Sequence, residues 1–124
     1  MNAKISYDSS EPTVSVEFMI TKLLPDYDLF EVEAETPRDV DPILASQGFK
    51  DLLDDARAML EHELNGSGLE IVQLTGAICE DKAIHRPGIW LVLRELSGKR
   101  EMTAEARTNV AKAAESVQSS LGLS

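Results

Sequence analysis

A chain of 124 residues, 43% hydrophobic and 27% charged, is long enough to bury one core without staples and short enough to be a single domain. Its net charge of −10 repels nucleic acid and anionic lipid, so direct nucleic-acid binding and membrane association are set aside and a basic protein surface becomes the expected partner. Its one cysteine, Cys79, excludes an internal disulfide and suits a reducing, cytoplasmic compartment, in keeping with the lack of a leader or an apolar run of membrane length.

The charge is uneven. Residues 1–69 hold 15 acidic and 5 basic side chains, whereas residues 70–124 hold 7 of each. In chain order, residues 3–8 read as a strand with Ile5 and Tyr7 on one side and Lys4 and Ser6 on the other. A turn at Ser9, Ser10, Glu11 and Pro12 leads to a second strand over 13–21. There Val14, Val16, Phe18 and Ile20 alternate with Ser15, Glu17, Met19 and Thr21. After a proline-marked loop at 23–27, a third strand is expected over 30–35. Phe30, Val32 and Ala34 should point inward, and Glu31, Glu33 and Glu35 should form a row in solvent.

Pairing the second and third strands with their apolar faces matched sets Glu17 opposite Glu33 in one register and opposite Glu31 in the other. Like charges directly opposed are destabilising, so solvation, a cation or a partner must offset them. Lys4 is the local cation, because parity brings it near Glu17 when the first two strands pair.

Asp41 followed by Pro42 reads as a cap and first position of a helical turn. The pattern weakens at Ser46, Gln47 and Gly48. From Phe49 an amphipathic helix carries Phe49, Leu52, Leu53, Ala56, Met59, Leu60 and Leu64 on one stripe and ends at Asn65-Gly66. Residues 69–78 read as a strand, 79–88 as a loop, and 89–96 as a strand apolar on both faces around Trp90. A last helix over 103–121 has a stripe of rather small residues, Met102, Ala106, Val110, Ala113, Val117 and Leu121, suited to close packing on its own sheet or on a second copy.

The expected fold is α+β: one antiparallel sheet of about five strands, ordered βββ-α-ββ-α, with two helices on one face. In outline this layout and acidity resemble the small acidic chaperones of type III secretion, without their first helix. The resemblance is one of architecture and charge and rests on no residue motif.

The sequence holds no catalytic, cofactor-binding or metal-binding pattern. Cys79 and His85 fall in one expected loop with Glu80 and Asp81, but neighbouring carboxylates disfavour a reactive thiolate. His62 with Asp55 falls short of a zinc set. Alternate glutamates on a strand stand ~6.7 Å apart and diverge, whereas calcium needs converging oxygens.

The functional expectation is therefore a small non-enzymatic binding protein. It would be an inhibitor or nucleic-acid mimic of the phage anti-defence kind, docking on a basic surface such as that of a nucleic-acid-binding protein. The docking residues expected are Glu17, Asp28, Glu31, Glu33, Glu35, Asp39 and Asp41. The alternative is a dimeric adaptor or chaperone that binds through the Trp90 strand or the C-terminal helix.

Overall fold

Period-two alternation in the second strand places Val14, Val16, Phe18 and Ile20 at 1% exposure or less, and they anchor the core. The computed structural model describes residues 3–123. Four strands, β1 (Lys4–Tyr7), β2 (Thr13–Met19), β3 (Leu69–Asp81) and β4 (Ile84–Glu95), form one antiparallel sheet in the order β1-β2-β4-β3. Of three helices, α2 (Gln47–Glu63) and α3 (Ala104–Leu121) stand where helices were expected, and α1 (Asp41–Leu44) forms where only a helical turn was expected. The fold is α+β as expected, with four strands instead of five and a short third helix in addition to the two foreseen.

The absent strand is the one expected over 30–35. A strand has two edges, and both edges of β2 are taken: Lys4 stands opposite Glu17 on one side and Trp90 on the other. The chain thereby avoids the glutamate-on-glutamate pairing. Residues 30–33 run without ladder bonds, and only Ala34 makes a bridge, to His85 of β4 beyond the end of β2.

The expected loop over 79–88 is also absent. β3 and β4 extend through it and join at a tight turn where Lys82 adopts a left-handed backbone, φ 58°. Pro87 and Gly88, at the end of the expected loop, lie inside β4. Gly88 is required there, because a Cβ would strike the Cys79 sulfur and the Phe18 carbonyl. A bulge between Ile71 and Gln73 pushes Val72 out to 50% exposure. It also brings Leu69, Ile71 and Leu74 onto one face, whereas strict alternation would put Leu74 on the opposite face.

Ser46 caps α2 by accepting from the Phe49 N–H at 3.2 Å. The expected stripe is buried at Phe49, Leu52, Ala56 and Leu60. Asp41 is the first residue of α1 and not its cap; the cap position is Val40, at the end of the 3-10 turn Pro37–Val40. In α3 the small-residue stripe, Ala106, Val110, Ala113 and Val117, is buried within the chain and joins the same core as α2 and β2. The other face of the sheet carries Ser15, Glu17, Thr75, Trp90 and Val92, none of them in the core.

Candidate docking surface

The acidic segment that fails to become a strand is still held firmly. Leu24 and Leu29 exchange backbone hydrogen bonds of 2.9 and 3.0 Å and close a loop around the 3-10 turn Pro25–Tyr27. Asp28 ends that turn in a left-handed conformation, φ 55°, which aspartate tolerates better than most residues. Ala34 and His85 exchange backbone bonds of 2.8 and 2.7 Å. Between these ties, Leu29 (3% exposed) and Val32 (6%) are buried, while Phe30 stands 64% exposed. The expectation that Phe30 points inward is thus reversed. Without a ladder to enforce period two, Leu29 and Val32 go down, and the intervening Phe30 and Glu31 go out.

Arg86 fixes the segment from below. Its guanidinium is almost wholly buried and reaches three acceptors: the Asp81 carboxylate at 2.8 Å, the Glu33 carboxylate at 3.1 Å and the Val32 carbonyl at 3.3 Å. A buried guanidinium needs such a set of acceptors to offset its desolvation. All three glutamates of the expected row are exposed in solvent, but Glu33, 62% exposed, is also tied down by its ion pair with Arg86.

The remaining expected residues divide. Asp28, Asp39 and Asp41 are exposed along the same stretch, with Asp39 accepting from the Thr36 hydroxyl at 2.9 Å. Glu17 does not join them. It lies on the open face of the sheet, half-buried beside Cys79 and opposite Lys4.

Three further carboxylates do approach the segment, through Tyr27. Its hydroxyl donates to Asp55 of α2 at 2.6 Å. Burial first, then that bond and the charges of Asp55, Asp26 and Asp51, push the phenol up to about 12. Gly48 makes the approach feasible: a Cβ there would collide with the Tyr27 carbonyl. Next to this cluster, Asp28, Leu29, Phe30 and Glu31 face Pro42, Ile43 and Ser46 across a shallow groove. The result is an exposed aromatic ring in an acidic surround.

The Cys79 and His85 pair is not assembled. Cys79 is opposite Arg86, and His85 is opposite Glu80, so the two side chains leave the sheet on different faces. Cys79 is 2% exposed, and burial followed by the adjacent Glu17 pushes its thiol up to about 12. Among the described residues no three His, Cys, Asp or Glu side chains converge as a metal set, and no helix is long and apolar enough to cross a membrane.

Sequence reasoning missed Phe30, Arg86 and Gly48. Only Glu17 carried a warning, since the expected hairpin set it against another glutamate. Comparison with protein families, curated proteins and solved structures finds no match to this chain.

Proposed function

We propose that this chain is a non-enzymatic docking module that seats Phe30 and the carboxylates around it on a basic protein surface with an apolar pocket. The observation that carries the reading is Phe30 itself, 64% exposed beside Glu31 on a short outward stretch between buried Leu29 and Val32. A ring presented on a pinned backbone loses little conformational entropy on binding, and aromatic residues are frequent binding hot spots. Exposed Asp28, Glu31 and Glu35 supply steering and exclude acidic partners.

A surface so occupied is a blocked surface, so inhibition of a nucleic-acid-binding partner is the activity this chemistry favours. Duplex DNA presents one charge per ~1.7 Å of axis, whereas alternate residues on an extended chain lie ~6.7 Å apart. Mimicry would therefore draw on Asp26, Asp51 and Asp55 as well as the segment itself.

The test is affinity purification of the full chain with F30A and the double variant E31Q/E35Q as comparisons. Glu33 is left intact because it pairs with Arg86. Proteins of high pI retained by the wild type should be lost about 30-fold with F30A, the equivalent of ~2 kcal/mol. Equal recovery by wild type and both variants would refute the reading.

A second reading, an adaptor holding an apolar segment on the open sheet face, rests on Trp90, Val92, Met19 and Ala77, all only half-buried. It expects Trp90 fluorescence to shift to the blue when partner is added; an unmoved spectrum in a demonstrated complex argues against it.

A further inference from the structure

The two edges of the sheet are built differently. β1 is four residues long and carries Lys4, two features that discourage a further strand. β3 is thirteen residues long and forms the opposite edge. Its bulge at Val72 protects only the first part. From Gln73 to Cys79 there is no charge, no proline and no further bulge, in a chain that is 27% charged. Among the described residues, the only backbone bonds of β3 within the sheet are to β4. Its outward N–H and C=O groups therefore face solvent on the free side.

We infer that a second copy of this chain pairs with β3 edge to edge, antiparallel, about a two-fold axis close to Gly76. Charge selects the occupant. Two chains of net charge −10 repel over most of their surfaces, and residues 71–79 form a stretch where they meet without an ionised side chain. Of the charges bracketing it, Glu70 is paired with Arg94 and Asp81 with Arg86, while Glu80 is exposed.

Facing sets the register. Gln73, Thr75, Ala77 and Cys79 share the open face with their β4 mates, and Leu74, Gly76 and Ile78 take the helix face. A continuous sheet requires opposed residues on one face, so an axis at Gly76 sets Thr75 against the mate's Ala77 and Leu74 against the mate's Ile78. An axis at Thr75 would instead oppose Glu70 and Glu80. The paired sheet has eight strands, and its only free edges are the short, lysine-bearing β1 strands. This inference does not depend on the Phe30 docking surface, which lies on a different part of the chain.

The experiment has two arms. Light scattering on the full wild-type chain should return twice the 13.6 kDa chain mass, and the dimer fraction should rise with added salt as the acidic surfaces are screened. A monomer at every concentration, or dissociation by salt, would overturn the inference.

In the second arm, T75C and A77C are each made in a C79A background, mixed and oxidised. Edge pairing brings opposed Cα atoms to ~5 Å, within the disulfide range, so the mixture should form covalent dimers. Self-linking of either single variant also supports the edge and moves the axis to that residue. Stacking through the open Trp90 face keeps backbones ~10 Å apart and gives no such bond. A dimer without cross-links would therefore place the second copy elsewhere and end the proposal.

Discussion

The buried guanidinium of Arg86 stands 3.1 Å from the carboxylate of Glu33, a side chain otherwise 62% exposed. One charge of the pair is committed to the interior and the other is mostly in water. The partner of lower exposure thus dictates where the acidic segment lies. Arg86 to alanine leaves Asp81 and Glu33 free to hydrate, so the expected destabilisation is about 1–3 kcal/mol, less than for a fully buried pair. Lysine restores the charge but not the three-pronged reach to Glu33, Asp81 and the Val32 carbonyl, and should recover only part of the loss. Urea unfolding of R86A and R86K checks both. Amide exchange at Ala34 should quicken in each.

Gly48 gives a test in which helix propensity and packing oppose each other. Alanine is favoured over glycine within a helix by about 1 kcal/mol. Here the added methyl meets the Tyr27 carbonyl, so G48A should be destabilised overall, by about 1–3 kcal/mol. The same shift should loosen the Tyr27–Asp55 bond and lower the phenol from about 12 toward its ordinary 10. In the wild type the raised value means that stability is lost as pH climbs from ~10 through that of the folded state. Alkaline absorbance titration reads the phenol directly.

Glu95 joins the end of β4 to the start of α3. Its carboxylate accepts from the Thr103 N–H at 3.0 Å and from the Thr103 hydroxyl at 2.7 Å, and Thr103 in turn caps the helix through the Ala106 N–H at 3.2 Å. The Thr103 N–H holds the carboxyl below its usual range, against the opposing effect of burial. Because the folded-state value is lowered, this contribution to stability is complete above the unfolded value of ~4.3 and disappears as pH falls through the folded one. E95Q should cost about 1–2 kcal/mol at neutral pH and show a smaller loss below pH ~4.3 than the wild type. Urea midpoints across that range decide it.

Cys79 should resist thiol reagents while the protein is folded. It is 2% exposed, and its thiol is pushed up to about 12 by burial and then by Glu17. Maleimide labelling at neutral pH should be slow in buffer and quick in denaturant. Rapid labelling of the folded protein would reopen the case for a nucleophile at this position.

Elements with long, repeated patterns were legible in the residues. β2 alternates over seven positions, and α2 repeats its stripe over four turns, so both were found with the correct face. Lys4 opposite Glu17 followed from parity alone. The segment at 30–35 offered only three alternations, one of them an alanine, which is too little to force an extended pair. Pro87 and Gly88 looked like punctuation because their tolerance inside β4 depends on neighbours remote in the chain: β2 has ended beside Pro87, and Cys79 packs over Gly88.

The sequence by itself determined the layer architecture, the acidic half and the parity of the first hairpin. These follow from local periodicity and from charges that can be counted along the chain. Only the tertiary structure decided which surfaces stay open. Whether Phe30 is inside or out depends on β2 already having neighbours on both edges. Whether Glu33 is free depends on a buried arginine more than fifty residues away. Such outcomes turn on competition between distant segments for the same edge or the same charge, and no local pattern records which one prevails.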